Sequence, residues 1–305
     1  MSSATGPAHG LPQRMPRPRQ PGRHRKPEQL VAPEGAPALV LAVPGTPDAS
    51  VRGIAEEVLS IARSELPGLN AWIGYVDAEA GQSEEFPSLA QVLAQVAADR
   101  AARAGGEQPD GPSGVVVPLL AGPDAAVTRR ITQAIAASKA AVELTDVLGP
   151  HPLLAEGVHV RLSEAGLSRA DRARLFTVAT AADGIILATS GGDEAVQSAG
   201  ISGMLLSARL AVPVMAAALD TVGSVARVAE QLRGAGATQL ALAPYVVGPE
   251  LPEGLLAAAE REAACTAAQP LGAYPAVGRL VLSQYAAVLG IQSPQLALQT
   301  QAPVR

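Results

Sequence analysis

Histidine is the side chain best suited to hold a divalent cation or move a proton near neutral pH, and the chain has four. His9 and His24 lie in a stretch of Pro, Arg, Gly and Gln, and His159 falls within an apolar helical pattern beside Val158 and Leu162. Only His151 stands on a turn leading from an apolar run into a helix, where it can reach a ligand. The acids Asp77, Glu79, Glu84 and Glu85 gather in a polar loop after a second apolar run. Small residues fill other turns: Gly45-Thr46, Ser190-Gly191-Gly192 and Gly248. Turns without bulky side chains let a flat ligand approach the backbone closely. The lone cysteine, Cys265, excludes a disulfide framework and a cysteine-based zinc cluster, and suits a reducing, cytoplasmic compartment. No Gly-x-Gly-x-x-Gly, P-loop lysine motif or Gly-x-Ser-x-Gly elbow is present, so the pattern supports neither a nucleotide cofactor nor serine hydrolysis.

These residues need a scaffold, and the apolar runs describe one. ALVLAV at 38–43 is apolar on both faces, as a parallel strand covered on each side must be. Helical spacing follows through Val51, Ile54, Val58, Ile61 and Leu66, ending at Pro67-Gly68. A strand is expected at 72–77, then a helix opened by the capping pair Ser88 and Gln91. Strands at 115–120 and 142–145, with helices at 127–138 and from His151, complete one half. The second half repeats the order, with strands at 185–189, 212–217 and 239–243, and helices to about 210, at 222–232, 255–264 and 276–289.

The halves also match residue by residue. LVLAVPGTPD at 39–48 parallels IILATSGGDE at 185–194, and VVVPLLAGPD at 115–124 parallels LALAPYVVGPE at 240–250. VLGPHPLLAEGVHVRL at 147–162 parallels PLGAYPAVGRLVLSQY at 270–285. Three matches in one order indicate an internal duplication. The expected fold is α/β: two similar doubly wound lobes with parallel central sheets, spanning 37–166 and 167–290, facing each other across a cleft. In such sheets ligands bind beyond the carboxyl ends of the strands.

A strand ending in a small turn, an apolar strand ending Pro118-Leu119-Leu120, then Leu148-Gly149-Pro150-His151-Pro152 opening a helix, all duplicated, resembles the sirohydrochlorin and cobalt chelatase family. The resemblance spans about 38–289 and implies insertion of cobalt, nickel or ferrous iron, as substrate, into a sirohydrochlorin-type tetrapyrrole. The family's first strand ends His-Gly-Ser/Thr, where this chain has Pro44-Gly45-Thr46; its second histidine follows the third strand, where this chain has Gly122-Pro123-Asp124. Proline has no ligand atom. The Asp124 carboxylate can take a cation, but poorly replaces two imidazoles for cobalt or nickel. Glu85, in Glu85-Phe86-Pro87-Ser88-Leu89, is similar to a family glutamate with one insertion and is a candidate general base; His151, on its strand-to-helix turn, is the other catalytic candidate. Three readings follow. The chain is a chelatase with altered ligands, a relative that binds a tetrapyrrole or a protein partner without metal insertion, or an unrelated doubly wound protein, for instance a small-molecule binder, whose duplication only imitates the family.

Charge divides the chain. Residues 1–36 hold six basic side chains against Glu28 and Glu34, and the remainder carries 17 basic and 26 acidic residues. An acidic body disfavours nucleic acid. The first 36 residues, with seven of the 26 prolines, are expected to be a disordered tail, and 291–305 a flexible one. No run approaches the ~18–20 apolar residues of a membrane span, and no apolar stretch follows the N-terminal charges as in a secretory signal.

Overall fold

A computed structural model of the chain describes residues 31–79, 81, 84–104, 111–168 and 181–291. The sequence expectations for 1–30 and 292–305 therefore lie outside the described residues. Of the stretch assigned to the tail, residues 31–36 lie against the body: Ala32 N–H donates to the Pro67 carbonyl, and Arg100 donates to that of Gly35.

Eight strands and eight helices follow in order among the described residues. The first lobe is β1 (Ala38–Val43), α1 (Ala49–Glu65), β2 (Ala71–Tyr75), α2 (Leu89–Arg103), β3 (Gly114–Pro118), α3 (Ala125–Ser138), β4 (Val142–Leu144) and α4 (Pro152–Glu164). The second is β5 (Gly184–Thr189), α5 (Gly192–Leu210), β6 (Val214–Ala218), α6 (Ser224–Gly234), β7 (Leu240–Pro244), α7 (Leu255–Ala263), β8 (Thr266–Ala267) and α8 (Pro275–Val288). Each lobe is a four-stranded parallel sheet, in the orders β2-β1-β3-β4 and β6-β5-β7-β8. The repeat is exact in register: Ala42 stands opposite Pro118 in one sheet, and Ala188 opposite Pro244 in the other. The two-residue β8 has no apolar run of its own and was not expected from sequence.

Alternation along the strands sorts the core. Leu39, Leu41 and Val43 of β1, with Ile185 and Leu187 of β5, face a single core shared by both lobes. Val40 and Ala42 face outward under α2 and α3, while Ile186 and Ala188 lie under α6 and α7. The shared core is closed by an exchange of helices. α4 ends the first lobe yet packs on α5 and β7 of the second, and α8 packs on α1 and β3 of the first. Both crossings are fastened alike. Arg161 of α4 donates to the Leu271 carbonyl (2.7 Å), in the turn before α8, and Gln284 of α8 donates to the Val147 carbonyl (3.1 Å), in the turn before α4. Gly278 permits the second crossing, because a Cβ there would come within 2.7 Å of Ile61 on α1.

Local signals start the helices of the first lobe. Asp48 caps α1 through Val51 N–H, Ser88 and Gln91 form the reciprocal capping box of α2, and Asp124 caps α3. The corresponding helices α5 and α7 begin after Gly191 and Gly254 without a side-chain cap.

Candidate functional site: four turns on a pseudo-dyad

The carboxyl ends of the central strands meet where the lobes join. Gly45, after β1, has φ +87°, and a Cβ there would overlap the Pro249 carbonyl of the turn after β7. Gly191, after β5, has φ +113°, and a Cβ there would overlap the Pro123 carbonyl of the turn after β3. The two contacts are equivalent under the duplication. Here the turns touch, instead of bordering an open cleft as expected. Gly45 and Gly191 thus serve close approach of the lobes to each other.

Each contact is braced by an aspartate that follows an edge strand. Asp77, after β2, accepts from Gly45 N–H (2.7 Å) and pairs with Arg130 of α3 (3.0 Å). Asp220, after β6, accepts from Gly191 N–H (3.0 Å). Sequence reasoning grouped Asp77 with the loop acids and passed over Asp220. The spacing the two share, an aspartate two residues beyond the last residue of β2 and of β6, becomes visible only once the strand ends are known.

Immediately after the touching prolines come two carboxylates, Asp124 and Glu250. Asp124 Oδ1 accepts from the N–H groups of Ala126 and Val127 (both 2.9 Å). Glu250 folds back on its own turn, accepting from Val247 N–H (2.8 Å) and Gly248 N–H (2.7 Å). Burial, opposed by these hydrogen bonds and reinforced by the nearby Asp124 charge, pushes the Glu250 carboxyl up to about 6. The folded state therefore holds its proton more firmly than the unfolded chain, whose carboxyl titrates near 4.5. The stabilisation from that proton is complete below about pH 4.5 and lost as pH rises through 6; it amounts to about 2 kcal/mol. Urea melts of the wild type should show this decline between pH 5 and 7, and Glu250→Gln should remove it. An identical decline in both proteins would assign it to another group.

The other candidates are placed as follows. His151 caps α4: its Nδ1 accepts from Leu153 N–H (3.1 Å), and burial lowers the imidazole below its ordinary value. Its backbone N–H and the Ser202 hydroxyl both serve Tyr245, a fully buried phenol whose pKa is pushed up to about 12 by desolvation. Glu85 is engaged with Arg52 of α1, whose guanidinium also lies 5.7 Å from the centre of the Phe86 ring. As the partner in that ion pair, Glu85 fastens the loop to α1. Thr46 is exposed; Ser190, Gly192 and Gly248 are half-buried around the touching turns. His159 is buried within α4. Asp124, expected as a metal ligand, is a helix cap with one oxygen committed to the backbone. Among the described residues no three His, Cys, Asp or Glu side chains converge as a metal-ligand set. No helix of the described residues is long and apolar enough to cross a membrane.

No family model and no curated protein matches the chain. Among solved structures, it is similar to a periplasmic ribose ABC transporter from Conexibacter woesei DSM 14684, with 13% identity and a TM-score of 0.30 over 68% of this chain and 64% of that one. It is also similar to a conserved domain protein from Vibrio cholerae O1 biovar eltor, with 14% identity and a TM-score of 0.35 over 84% of this chain and 86% of that one. The chain thus spans less than two thirds of the ribose transporter structure, and the two-lobed, parallel α/β architecture rests on the strand pairing of the chain itself.

Proposed function

We propose that this chain is a chelatase-like protein that holds a sirohydrochlorin-type tetrapyrrole over its strand-end turns, outside the closed contact between the lobes, without inserting a metal. The observation that carries the reading is the chemistry of the dyad. Where the resembled family has two imidazoles, this chain has Pro44, which offers no donor, and Asp124, whose Oδ1 is spent on capping α3. Metal insertion needs ligands that hold the ion and groups that accept two pyrrole protons. The first requirement is unmet by these residues. The lone cysteine suits a cytoplasmic site of action.

One feature favours the alternative, insertion of cobalt, nickel or iron as substrate. Glu250 is poised near neutrality beside Asp124, so the pair can accept a proton at the right place.

Mixing the purified protein with free-base sirohydrochlorin separates the readings. A saturable absorbance shift, unchanged by EDTA, is expected, and added Co²⁺ should enter the macrocycle no faster than in buffer. Insertion above that background would establish the alternative. No shift at high protein concentration would dispose of both.

A further inference from the structure

Two cavities lie well away from the dyad, and the chain's single tryptophan, Trp72 of β2, lines both. One, of about 290 Å³, runs between Trp72, Glu84, Pro87 and the α2 residues Gln91 and Gln95. The other, of about 220 Å³, continues along α2 past Asp99 to Arg100 and Arg103. Gln91, Gln95, Asp99 and Arg103 are spaced four apart, so they line one face of the helix. The result is a groove beside an edge strand. It has an aromatic wall, amide groups along its floor, acids at Glu84 and Asp99, and two guanidiniums closing its far end.

The described chain begins beside this groove. Ala32 N–H bonds to Pro67 O, and a Cβ on Gly68 would lie 3.6 Å from Val31. Asn70, two residues on from Gly68, lines the groove with Trp72. Thirty residues precede Val31, with six basic side chains and one acid, Glu28. They include Pro16-Arg17-Pro18-Arg19-Gln20-Pro21-Gly22-Arg23.

We propose that residues 16–23 of this N-terminal extension dock in the Trp72 groove of the same molecule. Proline-rich segments pack on aromatic-lined grooves because their extended conformation is already set and little chain entropy is lost. Trp72 supplies the aromatic face. Gln91, whose oxygen is taken by the capping box, still has its amide N–H groups to offer the carbonyls that prolines leave without local partners, while Gln95 donates to Asp99. Glu84 complements Arg17 and Arg19; Asp99 already accepts from Gln95 (2.7 Å) beside Arg100 and Arg103, whose positive charges repel arginine and so limit the segment to the Glu84 end. The eight peptide steps from Arg23 to Val31 span up to about 26 Å when extended, more than the roughly 22 Å length of the 15-residue α2 along which the groove runs. Tethering also gives an effective concentration in the millimolar range, so a weak contact suffices for occupancy.

Trp72 is the probe, and the full chain is the sample. Acrylamide, a neutral quencher, should quench Trp72 about 2-fold more in the Arg17→Glu/Arg19→Glu variant than in the wild type, because an emptied groove exposes the indole. A synthetic peptide of residues 12–26 should restore protection to the variant and have little effect on the wild type. Salt at 0.5 M should move the wild type toward the variant. Equal quenching in the two proteins, with no response to peptide, overturns the proposal. Protection that disappears on dilution, together with a dimer in sedimentation, would also overturn it, by placing the segment in the groove of a second copy.

Discussion

Restoring two imidazoles through Pro44→His and Asp124→His together is expected to tighten Co²⁺ binding roughly 100-fold beyond the product of the single changes, because two ligands then share one ion. The turns after β1 and β3 belong to adjacent strands, and both border the contact between the lobes through Gly45 and Pro123. Neither substitution is neutral by itself. Replacing Pro44 frees its φ, so the single Pro44→His variant is a necessary control. Replacing Asp124 removes the α3 cap, at a cost of about 1 kcal/mol, and removes the charge that helps to raise Glu250. Co²⁺ titrations of the wild type, both single variants and the double variant read the coupling directly. The same affinity in all four would mean that positions 44 and 124 do not face one site. Tight binding by the unmodified protein would reveal ligands other than these.

The second large effect concerns the contact between lobes. Gly45→Ala should cost about 3 kcal/mol, combining a left-handed conformation that alanine disfavours with overlap against a backbone carbonyl. Pro249 cannot readily withdraw, since its turn is held by both oxygens of Glu250. Gly191→Ala should cost as much through Pro123. The informative control is Gly192→Ala. Its φ is +71°, but a Cβ there meets open space, so only the backbone cost of roughly 1 kcal/mol remains. Urea midpoints of the three variants distinguish contact from conformation. If Gly45→Ala and Gly192→Ala were equally destabilised, the lobes would not touch in solution as described.

The difference between these glycines shows where sequence reading stopped. Each of Gly45, Gly191 and Gly192 follows a strand, and pattern alone assigned all three to ligand approach. A positive φ and a close neighbour are properties of the folded backbone, and only two of the three have both. Glu85 likewise fitted a family position, but its carboxylate is taken by Arg52, a residue 33 positions earlier in the chain. Glu250 was visible only as the last residue of a repeated turn; its raised proton affinity depends on burial and on Asp124 from the other lobe.

What the sequence determined by itself was local or repeated: both-face-apolar strands, the Ser88–Gln91 box, the end at Pro67-Gly68, and the duplication that makes β5 the counterpart of β1 and β7 the counterpart of β3. These follow from periodicity, capping and self-similarity, which act over a few residues or copy a unit whole. What only the tertiary structure decided was which sheet each final helix covers. The apolar stripes of α4 and α8 state that each helix must bury a face, and either sheet would satisfy that demand. The exchange is selected by contacts far apart in the chain: Arg161 with Leu271, Gln284 with Val147, and Gly278 against Ile61. It joins the two lobes around one core and brings their strand-end turns together, because burial energy depends on the area covered and not on which segment of the chain covers it.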